Sequence, residues 1–207
     1  MTNKIVVPIS SVEHVVNEFF QKDRTLTPNG AVRNSTLLAC KRDFLFLRAP
    51  KLEYQPYSLS KAQADALRAD MPSFAAILVY CSSIDLLARV MKKSTGIHNS
   101  KKYFLWSAKK WFGRNKSQSN ALWKMRCAMS HQYMIEKNQR AVPFGFSGSM
   151  MFDKKQRKWT LNLNGMYGDI THAIQKAHEH IQGLSKFTQQ KYANFIYEYG
   201  FFYTQAN

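Results

Sequence analysis

The chain has 207 residues, 45 % hydrophobic and 14 % aromatic, which suits one globular domain with a sizeable core and excludes a disordered chain. Its longest apolar run, FAAILVYC from Phe74 to Cys81, has eight residues, far short of the roughly 20 needed to span a bilayer. The formal net charge is +17, from 30 basic against 13 acidic side chains, which points to a polyanionic partner more than to a membrane surface.

Ser10 and Glu13 stand at capping-box spacing, so a helix is predicted from Ser10 or Ser11 through Phe20. Residues 23–33, DRTLTPNGAVR, carry loop signals. Residues 34–48 fit a helix or a strand equally well. Ser60 is placed to cap a helix that Pro72 interrupts or restarts. Residues 73–93 then predict a strong helix, apolar almost all round and so the most buried one, ended near Gly96. A basic aromatic helix follows over 101–112, then the loop GRNKSQS, then a helix carrying ALWKMRCAMSHQYMI. Residues 142–164 read as two or three short strands with a charged turn at Lys154–Lys158, a β-hairpin element on a helical body. Helices resume over 169–184 and 185–204. The expected architecture is one mainly α domain over residues 1–207, without repeats or a domain boundary.

The charge is unevenly arranged. Between Asp85 and Glu136 there is no acidic residue, while Arg89, Lys92, Lys93, Lys101, Lys102, Lys109, Lys110, Arg114, Lys116, Lys124 and Arg126 all fall there. Tyr103, Phe104, Trp106, Trp111 and Phe112 are interleaved with them. A one-signed block of this kind is the footprint of a nucleic-acid binder, and the aromatics could stack on bases. The plainer reading is a solvated basic face whose aromatics belong to the core. Lys92, Lys93, Lys101, Lys102, Lys109, Lys110, Arg114 and Lys116 are the candidate RNA-binding residues. The N-terminal MTNKIVVPIS lacks the pattern of a secretory signal, so the expected location is the cytoplasm.

Arg126, His131 and Tyr133 fit the spacing R-x4-H-x-Y. Cleavage by an RNA 2′-hydroxyl needs a group that moves protons at neutral pH, which suits His131. It also needs a fixed positive charge on the phosphate, which the planar fork of Arg126 supplies. Tyr133 could bind a phosphate oxygen or stack on a base. Five residues at about 100° each set Arg126 and His131 roughly 140° apart on a straight helix. Either the helix ends or kinks near Ser130, or a second subunit completes the site. Asp85 projects with Phe74, Ile77, Leu78, Cys81 and Ala88, all apolar, so its carboxylate needs a partner. Arg126 is a candidate, and a local bond to Arg89 is the alternative.

With that motif the chain resembles the HEPN superfamily, in particular its toxin-like branch, over about residues 73–185. The resemblance leaves residues 1–60 as an N-terminal extension and does not explain the hairpin. The family commonly has Asn or Asp directly after the arginine, where this chain has Cys127. The resemblance implies a helical bundle with metal-independent endoribonuclease activity, no cofactor, and a homodimer in which two motifs meet across a two-fold axis. It also implies a toxin–antitoxin or phage-defence setting, with an antitoxin or other regulatory protein as partner. Other members of the superfamily are inactive, so a non-catalytic module binding nucleic acid or an acidic protein is the alternative.

Other signals carry less. Cys40, Cys81 and Cys127 are widely spaced and fit buried free thiols better than a disulfide framework or a zinc site. Cys127 and His131 are four residues apart, but nothing else resembles a cysteine hydrolase. His172, His178 and His180 lack metal-ligand spacing and are expected to face solvent. No glycine-rich phosphate loop or dinucleotide fingerprint occurs.

Overall fold

The structure, a computed structural model, describes residues 6–48, 61–95, 100–132, 139–142, 148–155 and 157–205. A single 3-10 turn, Ile9–Ser11, leads into helix α1, Val12–Gln21. The predicted capping box is not formed: the helix starts after Ser11, whose side chain makes no cap hydrogen bond. What holds α1 is its apolar stripe, since Val12, Val15, Val16, Phe19 and Phe20 recur at helical spacing and are all buried.

The segment expected as a loop contains two strands instead, β1 (Arg24–Leu26) and β2 (Ala31–Ser35). They pair antiparallel, Arg24 opposite Asn34. Between them Gly30 N donates to Thr27 O at 2.9 Å, a four-residue turn with Pro28 second and Gly30 at φ +81° in the last place. Ser35 then caps helix α2, Thr36–Arg48, its Oγ accepting from Leu38 N at 3.2 Å. That settles the ambiguous 34–48 segment as strand end plus helix.

Helix α3, Lys61–Lys92, runs without interruption through Pro72. Proline in a helix interior costs about 3 kcal/mol, and here the same helix buries Ala76, Ile77, Tyr80, Cys81, Ile84, Leu87, Ala88, Val90 and Met91. As expected of the most apolar segment, α3 is central. The helix ends before Gly96: Lys93 takes φ 49°, and Ser94 N reaches back to Arg89 O at 3.1 Å, the bond that closes a Schellman-type terminus. Ser60 and Gly96 lie outside the described residues.

Helix α4 spans Ser100–Lys110 and α5 spans Lys116–Gln132. α5 opens on a reciprocal cap: Asn115 Oδ1 accepts from Gln118 N at 2.9 Å, and Gln118 Oε1 accepts from Asn115 N at 3.1 Å. Strands β3 (Gln139–Val142), β4 (Met150–Asp153) and β5 (Lys158–Asn162) form one sheet in the order β3-β5-β4. β4 and β5 are the expected hairpin, paired antiparallel, and β3 adds to β5 in parallel.

Asn162 caps α6, Leu163–Gln182, accepting from Asn164 N and Gly165 N. Ser185 caps α7, Lys186–Tyr199. The last expected helix is shorter than the predicted 185–204, because Phe201–Gln205 form a strand, β6, that pairs antiparallel with β2. The second sheet is therefore β1-β2-β6.

The chain is mainly α, with α3 touching α2, α4, α5, α6 and α7. The N-terminal segment is not peripheral: Phe19, Leu37 and Phe44, each 0 % exposed, share one core cluster with Tyr80, Leu122 and Ile170. Among the described residues, no helix is long and apolar enough to cross a membrane.

Candidate functional site

α3 and α5 pack side by side, with the Cys81 thiol facing Leu122 O at 3.8 Å. One helical turn further along both, Arg126 Nε donates to Asp85 Oδ2 at 2.6 Å. The pair is partly covered, with side-chain exposures of 25 % for Arg126 and 19 % for Asp85. The Arg126 guanidinium also lies 5.0 Å from the Trp123 ring centroid, so carboxylate and indole together fix its plane. Burial raises the Asp85 carboxyl above its ordinary value, while the hydrogen bond and charge of Arg126, and then the charge of Arg89, pull it back down. Arg89 thus acts at a distance, and the direct bond is to Arg126.

The helix that carries the motif continues past Ser130 to Gln132. The backbone at His131 is therefore helical, which removes a helix end at Ser130 as the way to align Arg126 with His131. The His131 side chain and the whole of Tyr133 lie outside the described residues. Leu122 and Met125 are buried, at 0 % and 1 % exposure, so Arg126 sits at the rim of the core-facing stripe of α5.

Most of the basic block forms an exposed face. Lys92, Lys93, Lys101, Lys102, Lys109, Lys110 and Lys116 are all exposed. Arg114 departs from this set in its burial. It is 7 % exposed, ion-paired to Asp169, and its Nε donates to Tyr80 Oη at 3.3 Å. Its Nε and Nη2 are engaged inside the fold. The interleaved aromatics divide in the same way. Phe104, Trp111 and Phe112 are buried in the core. Trp106, half-buried, is flanked by Lys92 at 4.0 Å and Lys110 at 5.5 Å, which couples it to the lysine face.

The histidines correct a further expectation. His172 and His180 are exposed, but His178 is 6 % exposed and bonds to Asn17 Oδ1 at 2.8 Å. The cysteines are free, Cys81 buried and Cys40 and Cys127 half-buried. Burial pushes the Cys40 thiol up to about 11, which makes it a poor nucleophile at neutral pH. Among the described residues, no group of three or more His, Cys, Asp or Glu side chains could hold a metal ion.

A second polar assembly escaped the sequence reading. Arg114, Tyr80 and Asp169 form a triangle, with Tyr80 Oη donating to Asp169 Oδ2 at 3.3 Å. Burial pushes the Tyr80 phenol up to about 12, against the pull of Arg114, so the hydroxyl keeps its proton and can donate. This triangle lies at one wall of a cleft of about 390 Å³ that Gln118, Ser149, His172 and Lys176 also line. The three residues lie on α3, in the α4–α5 connection and on α6, so no local spacing links them. On α6, Asp169, His172 and Lys176 recur at helical spacing, a polar stripe that sequence alone does not connect to Tyr80 or Arg114. Comparison with models of known protein families, with curated proteins and with solved structures yields no match.

Proposed function

We propose that this chain is a metal-independent endoribonuclease that cleaves RNA by 2′-hydroxyl attack. The observation that supports the reading is the Asp85–Arg126 pair. Asp85 engages Nε, which orients the guanidinium and leaves the terminal amino groups as donors for a phosphate. In the reaction the 2′-oxygen attacks phosphorus, the bond to the 5′-oxygen breaks, and a 2′,3′-cyclic phosphate and a free 5′-hydroxyl result. His131 would take the proton from the 2′-hydroxyl or deliver one to the 5′-oxygen. Arg126 would hold the charge that develops on the phosphate, with Tyr133 as an accessory. A second copy of the chain is the proposed means of joining Arg126 and His131 at one phosphate. The exposed lysines would steer RNA to that site. The setting this activity suits is a cytoplasmic toxin or phage-defence protein restrained by an antitoxin or other regulator.

One observation favours a non-catalytic module that binds nucleic acid or an acidic protein. Arg126 is already paired with a carboxylate and covered by Trp123, which a purely structural pair would also show. RNA cleavage in EDTA separates the two readings. Wild-type protein is expected to give fragments with 2′,3′-cyclic phosphate ends, and His131→Ala is expected to lose them by at least about a hundredfold. Folded wild-type protein that binds RNA and leaves it intact would replace the nuclease with the binding module.

A further inference from the structure

The cleft beside the Arg114–Asp169 pair is separate from the Asp85–Arg126 site and has the composition of a ligand pocket. Its volume, about 390 Å³, far exceeds what a bare phosphate fills and lies in the range typical of small-molecule sites. Its walls are of two kinds. Trp111, Phe112 and Met150 supply apolar surface, and Arg114, His172 and Lys176 supply donors.

The polar side carries excess positive charge. Asp169 is neutralised by Arg114, so Lys176, whose Nζ donates to Lys110 O at 3.3 Å, leaves a net positive charge there, and His172 stands one turn before it on α6. Arg114 spends Nε on Tyr80 and Nη2 on Asp169. Among the described residues its Nη1 has no acceptor. Trp111 is 2 % exposed, and its indole N–H has no hydrogen-bond partner among the described residues. A buried donor of this kind is costly unless something meets it. That indole nitrogen is closed to solvent, so what the cleft itself offers is Arg114, His172, Lys176 and apolar walls, which suit an amphiphilic anion.

The cleft wall is also tied together. Asn162 Nδ2 donates to Gly148 O at 2.9 Å, and Asn162 N donates to Ser149 O at 2.9 Å. A Cβ on Gly165 would stand 2.3 Å from Gly148 O, so only glycine lets α6 approach this segment so closely. The sheet edge is thereby held against α6.

We propose that this cleft binds a nucleotide phosphate with its attached nucleoside, free or at the end of an RNA strand, with Arg114, His172 and Lys176 on the phosphate. The test is equilibrium binding of the full chain to nucleoside 5′-monophosphates, the matching nucleosides, inorganic phosphate and a 5′-phosphorylated trinucleotide. Saturable binding of a monophosphate is expected, weakened about tenfold when either the phosphate or the nucleoside is missing. Lys176→Gln and His172→Gln, both at exposed positions, are each expected to weaken it by about tenfold with the fold intact. Tighter binding of the trinucleotide than of any monophosphate would assign the site to an RNA end, and the reverse to a free nucleotide. The proposal is overturned if no phosphorylated probe saturates, or if both variants bind as wild type does. It stands apart from the nuclease reading, since loss of cleavage in His131→Ala leaves these titrations unaffected.

Discussion

His178 and Asp85 are both titratable groups held in partly apolar surroundings, and they push stability in opposite directions with pH. His178 stacks on Phe20 with ring centroids 5.4 Å apart. Its Nε2 meets Asn17 Oδ1 at 2.8 Å, and Nδ1 faces the Gln21 amide at 3.4 Å. Nε2 must carry the proton to reach the Asn17 oxygen, and Nδ1 must then be bare to accept from Gln21. A second proton would break the Gln21 bond and place a charge against an aromatic wall. Burial accordingly lowers the His178 value below the ordinary 6.5. With the folded value below the unfolded one, the unfolded chain binds more protons in between, so stability falls as pH drops below 6.5. Asp85 has the reverse sign: its carboxyl is raised above 3.8, so its contribution is greatest in acid and falls as pH rises through the folded value. The melting temperature of the wild type is therefore expected to fall between about pH 7 and about pH 5. His178→Gln, which keeps an amide donor and cannot be protonated, should flatten that fall while lowering the melting temperature at neutral pH. An unchanged slope in the variant would show that His178 is not the group responsible.

At the scale of elements, the caps do much of the positioning. The Asn115–Gln118 pair starts α5 directly after Arg114, so the helix that carries Arg126 and the residue that lines the cleft are set by one turn. Asn115→Ala removes the side-chain acceptor for Gln118 N and is expected to cost about 1 kcal/mol of stability, read from urea unfolding. A loss of less than about 0.3 kcal/mol would mean that water replaces the cap. The legible parts of the fold were those written in local periodicity: the stripe of α1, the apolar α3, the hairpin β4–β5. The TPNG turn was also local, yet its flanking strands are too short and polar to announce themselves. β6 was illegible because Asn34 and Thr204, joined across the sheet at 3.2 Å, are 170 residues apart in sequence. Pairing of an aromatic tail with β2 leaves no mark in a window that otherwise continues a helix. The same logic divides the sites. Asp85 was readable as a carboxylate on an apolar face in need of a cation. The inward pairing of Arg114 was illegible because a charge count cannot tell a lysine-lined surface from a guanidinium folded onto Asp169. The buried His178 was missed because its partners, Asn17 and Gln21, come from the opposite end of the chain.

Across the whole molecule, the charge is separated rather than mixed. The interior ion pairs consume several arginines: Arg33 forks onto Glu18, itself 1 % exposed, Arg114 meets Asp169, and Arg126 meets Asp85. Apart from Arg89, the exposed basic residues described between Asp85 and Glu136 are lysines, which keep their ammonium hydrated and mobile. That division suits a surface that attracts a polyanion without reading its sequence, since point charges neutralise phosphates but impose no planar geometry. If this face is the RNA track, affinity must depend on counterion release. Lys102 and Lys109 lie seven residues apart on the same side of α4 and are both exposed, so neither supports the core. Replacing both with Gln is expected to weaken binding of single-stranded RNA and to reduce the slope of log K against log salt by about 0.7 for each lysine that contacts a phosphate. The loss should be uniform across RNA sequences, and the cleavage pattern of any remaining activity should not shift. A slope identical to that of wild type would move the RNA path off α4, towards Lys92 and Lys93 at the end of α3 or Lys116 at the start of α5. A loss restricted to particular sequences would mean that α4 reads bases, which its buried Phe104 leaves it poorly equipped to do.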